Sequence, residues 1–121
     1  MDIREVSIGL LISVAAVDMS TGAKEDLFTV PVGKKCIVTH VVVRSASAAL
    51  GAENDFGDGA DATTWLQTVN LSTVAANEYF VIESNNIAYT IFDAGDVFGV
   101  KKIAGTAETA TIDIFGYLFD A

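Results

Sequence analysis

The stretch from residue 27 to residue 45, LFTVPVGKKCIVTHVVVRS, constrains the fold of this chain more than any other. Pro31, the chain's only proline, and Gly33 predict a tight turn between a short strand and a long one. The run that follows Lys35 is too rich in β-branched residues for a surface helix, so it is predicted to be a strand.

Both faces of this long strand are mostly apolar. Strict alternation of side chains would place Ile37, Thr39, Val41 and Val43 on one face, and Cys36, Val38, His40, Val42 and Arg44 on the other. A strand that is apolar on both faces needs cover on both sides, from a second sheet or from another subunit. The pattern therefore predicts a β fold that assembles with other chains.

Other segments also have the composition or the alternation of strands. They span residues 3–17, 54–57, 65–71, 77–83, 87–92, 97–103 and 109–119. The first of them also fits helical spacing at Leu10, Leu11 and Val14, but its β-branched residues and Gly9 favour a strand. Turn signals about every 8 to 12 residues are typical of a sandwich or barrel.

We therefore predict an all-β fold, an antiparallel β-sandwich that is jelly-roll-like and has about eight strands. The length of 121 residues predicts one domain over residues 1–121. Within it, residues 1–26 would form an N-terminal strand or arm and a loop, and residues 27–121 the core sandwich.

Composition excludes several classes of function. Lys and Arg number 7 against 16 Asp and Glu, a net charge of −9, so we expect no nucleic-acid groove and no binding to an anionic membrane. The apolar run 8–17 is too short to span a bilayer and follows an N-terminal segment without the basic character of a signal peptide. We expect neither an export signal nor a membrane segment.

The residues also offer little catalytic chemistry. His40 is the only histidine, whereas cupin-like metal proteins need several histidines as ligands. Cys36, the only cysteine, is about 13 Å from His40 along a strand, and is expected to be a buried hydrophobic residue. No Gly-x-Ser-x-Gly motif is present. We predict no enzymatic activity, no catalytic residues and no cofactor.

Two groups of residues allow a binding function as a weaker alternative. Asp55, Asp58 and Asp61 lie in a Gly-rich acidic segment, where closely spaced carboxylates suit calcium, although their spacing differs from that of an EF-hand. A solvated acidic loop without metal is the preferred interpretation. The chain's three tyrosines could stack on a sugar, but tyrosines in strands are usually core or rim residues. They are Tyr79, Tyr89 and Tyr117.

Three segments together resemble a known class of protein. They are LFTVPVGKK at 27–35, FDAGDVF at 92–98 and IFGYL at 114–118, and they resemble small jelly-roll structural proteins of tailed bacteriophages and prophages. Val32 stands where alanine is commoner in that class. The resemblance implies a homotrimeric protein of the capsid decoration (cement) or head-fibre type, made in the host cytoplasm and located on the capsid surface of the virion. Its partners would be copies of itself and the major capsid protein or other virion proteins.

The apolar strand faces suggest where such a protein assembles. The outer face of each sheet in a sandwich normally alternates to polar residues, and here it does not. We predict that the excess apolar side chains form a subunit interface. The candidates are Val38, His40, Val42, Phe115, Tyr117 and Phe119. A phage tail or fibre module that binds carbohydrate or receptor is the alternative function, and a cupin-like small-molecule binder is a less favoured one.

Overall fold

The computed structural model describes residues 8–20, 22–74, 76–83, 90–105 and 107–121, and these residues form nine strands. The strands are β1 (Gly9–Asp18), β2 (Glu25–Thr29), β3 (Lys34–Arg44), β4 (Glu53–Gly57), β5 (Leu66–Val69), β6 (Tyr79–Glu83), β7 (Ile91–Asp93), β8 (Val97–Ala104) and β9 (Thr109–Asp120). Within these ranges the chain contains no helix of the length and apolar character needed to cross a membrane.

The strands form two antiparallel sheets packed as a sandwich. Sheet A has the order β1-β9-β3-β6, with β7 also paired to β3, and sheet B has the order β2-β8-β4-β5. β6 pairs with residues 40–44 of β3, and β7 pairs with residues 35–37, so the two share one position beside β3. The predicted all-β antiparallel sandwich is confirmed, with nine strands among the described residues where about eight were predicted.

The segment that was ambiguous between helix and strand is the edge strand β1. It pairs along its length with β9, from Gly9 opposite Gly116 to Asp18 opposite Thr109. Residues 3–7 of the predicted strand and residues 87–89 of another lie outside the described part of the chain.

The predicted turn between the first two strands of the organising stretch is also present. The Lys34 amide donates to the Pro31 carbonyl at 3.1 Å, and Gly33 has a φ of 78°. This left-handed conformation suits glycine because glycine has no Cβ to clash. The turn presents Val32 almost fully to solvent.

The faces of β3 differ from the strict alternation predicted above. Cys36 and Val38 lie in the core between the sheets, and so do Val41 and Val43. The pairing of β3 with β9 shifts by one residue between Val38 and His40, which is a β-bulge. The prediction that Val38 shares a face with His40 was therefore wrong, because the bulge reverses the alternation.

The core is organised by a chain of aromatic rings that joins the two sheets. Phe92 of sheet A contacts Phe98 of sheet B edge-to-face, with ring centroids 5.6 Å apart. Phe98 in turn contacts Trp65, which also contacts Phe56. The Trp65 indole nitrogen donates to the Val38 carbonyl at 2.9 Å, so the bulged strand of sheet A is tied to the loop before β5.

Candidate assembly surface

The outer face of sheet A is unusually apolar, and we call it the A-face. Phe115, Tyr117 and Phe119 alternate along β9 with core-packed residues and are only half-buried. Their partners on β3 are His40, Ile37 and Lys35 in turn. The apolar and aromatic members of the A-face and its histidine are Leu10, Ile37, His40, Val42, Tyr79, Val81, Ile91, Phe115, Tyr117 and Phe119.

The apolar side chains of the A-face are contributed by all five strands of sheet A. Leu10 of β1, Val81 of β6 and Ile91 of β7 are each about half exposed, at 56 %, 46 % and 52 %. Exposed apolar residues are ordinary when scattered, but a contiguous patch indicates an interaction site. The side chains join here because register brings them into adjacent rows.

Ion pairs border the A-face at both ends. Lys34 pairs with Asp120 and Lys35 pairs with Asp93 at one end. At the other end, Arg44 pairs with Asp113. A hydrophobic centre with a polar rim is the usual anatomy of a protein–protein interface.

The Arg44–Asp113 pair is the best-buried charge pair of this rim. The Arg44 Nε donates to Asp113 Oδ2 at 2.7 Å, and the Ser13 hydroxyl donates to the other carboxylate oxygen. Burial alone would raise the pKa of Asp113, but the hydrogen bonds from Arg44 and Ser13 outweigh burial and lower the pKa below its usual value.

This lowered pKa predicts how acid affects stability. A carboxyl whose folded-state pKa is lowered stabilises the fold above its unfolded pKa of about 4, and this contribution is lost as pH falls through the folded value. We expect Arg44→Met to lower the melting temperature at pH 7, and only slightly, because Arg44 is partly exposed. Thermal melts of both proteins from pH 7 to pH 2 should show the difference shrinking below about pH 4. A difference that grows as pH falls contradicts the assignment.

His40 and Cys36 lie on opposite faces of β3. The His40 Nε2 is 3.2 Å from Glu83 Oε1, and its Nδ1 is 2.9 Å from the Thr39 hydroxyl. Cys36 is buried in the core, as predicted, and burial raises the pKa of its thiol to about 11. The thiol therefore stays protonated at neutral pH and has no contact with the histidine that could make it a nucleophile.

The three aspartates weighed as calcium ligands have separate partners. Asp55 is buried on β4 and accepts from the Thr68 amide at 2.8 Å, while Asp58 bonds to Thr64. Asp61 pairs with Lys101 at 2.8 Å, and this hydrogen bond lowers the pKa of the carboxyl. No group of three or more His, Cys, Asp or Glu side chains among the described residues is arranged to hold a metal. The structure does not bring the three aspartates together.

These separate partners predict that a chelator leaves the protein unaffected. EDTA should not change the melting temperature, because no calcium would be removed. Asp58→Asn should respond to calcium and EDTA as the wild type does. A drop of several degrees in EDTA that Asp58→Asn abolishes would establish a calcium site.

Five of the six predicted interface residues lie on the A-face. His40, Val42, Phe115, Tyr117 and Phe119 share it, whereas Val38 lies in the core. Sequence reasoning missed the other members of the A-face, which are Leu10, Ile37, Tyr79, Val81 and Ile91. The alternation in Tyr79-Phe80-Val81-Ile82 could have indicated Val81, but which strands flank β3 cannot be read from the chain.

The two tyrosines in the described part of the chain are not neighbours, because they lie on strands on either side of β3 and at different heights along it. Both lie on the A-face: Tyr117 is on β9, and Tyr79 begins β6 with 72 % of its surface exposed. Tyr89 lies outside the described residues.

Two solved structures have a similar fold. One chain of the capsid asymmetric unit of cyanophage Pam1 matches over 93 % of this chain and 84 % of its own length, with a TM-score of 0.53 and 14 % identity. A chain of the acid-stable capsid structure of Helicobacter pylori bacteriophage KHP30 matches over 96 % of this chain and 98 % of its own length, with a TM-score of 0.50 and 14 % identity. No protein-family model matches the sequence, and no curated protein does. At this identity the likeness establishes a shared fold.

Proposed function

We propose that this chain is a non-enzymatic structural protein of a bacteriophage virion, and that it is a homotrimeric decoration (cement) protein on the capsid surface. The observation that carries the proposal is the A-face, an apolar sheet face bordered by ion pairs. The fold shared with small chains of two phage capsids supports the virion context.

The composition of the A-face suits an interface between copies. A specific interface commonly buries about 800 Å² per partner, and a few large side chains usually dominate its energy. Phe115, Tyr117 and Phe119 supply such side chains in a row along β9. Covering them with another copy would remove from water the contiguous patch that a monomer rarely exposes.

Charge also favours contact at this face. The A-face and its rim hold three Lys or Arg residues and four Asp or Glu residues, a charge of −1, whereas all the described residues together hold 6 Lys or Arg and 14 Asp or Glu, a charge of −8. Copies can therefore meet at the A-face with little repulsion. The remaining −7 of the described residues lies elsewhere, where it suits a basic acceptor such as a capsid shell.

Binding to heads tests this function. Purified protein should co-sediment with empty heads that lack it, and should bind less as salt rises, because exposed charges are screened. Tyr117→Asp should bind less well than Asp26→Asn, an exposed change on β2 of the other sheet. Heads that bind no protein at low salt would contradict the decoration role.

The absence of activity is a further expectation of the proposal. A screen across hydrolase substrates, with and without divalent metals, should show no turnover. Turnover that disappears in His40→Ala would overturn the non-enzymatic assignment.

A further inference from the structure

A groove of about 450 Å³ lies where the two sheets part, between β5 and β6. Residues 66–69 form one wall and residues 80–83 the other. Leu66 and Phe80 pack only partly against the core, and Val69 and Ile82 belong to it. Core-facing apolar side chains are therefore reachable from solvent along this side of the sandwich.

Both walls of the groove are sheet edges. β6 has β3 on one side and no strand on its other side among the described residues, and β5 is similarly placed beside β4. The backbone amides and carbonyls of an edge strand that point outward are free to pair with another chain.

β6 is the most regular of the four strands that end the two sheet orders. The pairing of β1 shifts twice, and that of β2 and that of β5 shift once each. β6 pairs with β3 in continuous register from Tyr79 to Glu83. Bulges protect edges against pairing with other chains, so β6 lacks a protection that the other three have.

The composition of β6 also favours pairing. Its sequence, YFVIE, has no lysine or proline, the residues that commonly protect edges, and consists mainly of strong strand formers. Val81 is 46 % exposed on the outer side of the strand. Glu78 and Glu83 flank this apolar run, and neither forms an ion pair with a Lys or Arg in the described part of the chain.

We propose that β6 is an acceptor edge, to which an extended segment of another virion protein adds as an antiparallel strand. Main-chain hydrogen bonds would supply affinity, and alternate apolar side chains of the segment would enter the groove. Because glutamates flank the edge, the segment carries Lys or Arg at its ends. The virion identity of the donor rests on the proposed function, whereas the acceptor edge itself does not.

A synthetic peptide of this chemistry tests the edge directly. The probe is fluorescent Lys-Val-Thr-Val-Thr-Val-Lys, with a glutamate-ended version and a version with proline at the central valine as controls. We expect the first peptide to bind and to slow hydrogen exchange at the β6 amides. Both control peptides should bind with an affinity at least about tenfold lower. Equal binding of the proline peptide would overturn strand addition.

Matched charge variants locate the site. Glu78→Lys should weaken binding of the lysine-ended peptide about tenfold at low salt and should strengthen binding of the glutamate-ended peptide. Asp26→Lys makes the same change in charge on β2, at the opposite edge of sheet B from β5, and should have little effect. Equal effects of the two variants would show that only net charge matters and would overturn the site.

Two further outcomes separate this proposal from its alternatives. Tyr117→Asp should disrupt assembly through the A-face and leave peptide binding intact. If the wild-type protein binds the peptide but neither assembles nor binds heads, the proposed function is overturned and the acceptor edge is supported. Protection of the β6 amides that rises with protein concentration, without peptide, would show that a second copy occupies the edge, and would overturn the proposed donor.

Discussion

Replacing Gly116 by valine is expected to destroy the native fold. Gly116 lies on β9, opposite Val38 of β3 and Gly9 of β1. A Cβ at this position would overlap the carbonyl oxygen of Ile37 and crowd the Cα of Val38, and both are backbone atoms that cannot turn aside. The strands would have to separate at the bulge, at a cost of about 3 kcal/mol or more, which is a large fraction of a typical domain's stability.

Gly9 provides the matched control, because it occupies the same row of the sheet. No heavy atom lies within 4 Å of a Cβ built on Gly9. Gly9→Val should therefore melt at or above the wild-type temperature, since valine is a better strand former than glycine. Circular dichroism melts of the two variants decide the matter, and equal melting temperatures would show that β3 and β9 do not approach as described.

The second large effect separates two valines four residues apart on β3. Val38→Asp should unfold the protein, because it places an unpaired carboxylate between the sheets, where Val38 is 1 % exposed. The cost of such a buried charge is several kcal/mol. Val42→Asp should leave the fold intact, because Val42 is on the A-face, but should disrupt assembly.

Circular dichroism and sedimentation velocity of the two variants measure these effects together. The expected results are an unfolded or insoluble Val38→Asp and a folded, smaller species for Val42→Asp. Strict alternation without the bulge would place both valines on one face and would make the two variants behave alike. Similar behaviour would therefore contradict the described register.

The fold class could be predicted because several independent sequence signals agree. Each signal comes from residues that are close together in the sequence. The signals are the turn at Pro31 and Gly33, the β-branched run of β3, and the alternation of Ala110, Ile112 and Ile114. Such local signals survive in the structure. The bulge after Val38 could not be predicted, because it arises from the pairing of β3 with β9, which are far apart in sequence.

The A-face could be predicted only in part, because some of its residues lie on one strand and others are brought together by the order of the strands. Phe115, Tyr117 and Phe119 are visible as an excess of aromatic residues on one strand. Leu10 and Ile91 join them only through strand order, since β1 and β7 flank β9 and β3 in sheet A. Asp55 is a residue whose burial could not be predicted from the sequence. Its charge predicts exposure, but its hydrogen bond from the Thr68 amide holds it buried on β4.

The groove beside β6 has no local signature in the sequence. The YFVIE pattern predicts a strand, and the pattern would be the same in the middle of a sheet. Only the sheet order places it at an edge, and only the opposing edge of β5 makes that edge a groove.

Sedimentation equilibrium at micromolar concentration tests assembly through the A-face most directly. The expected mass is three times the chain's 12.7 kDa, and Tyr117→Asp should reduce it toward that of one chain while its circular dichroism spectrum stays unchanged. A well-behaved monomer, with a mass unaffected by Tyr117→Asp or Val42→Asp, would contradict both the trimer and the role assigned to this face.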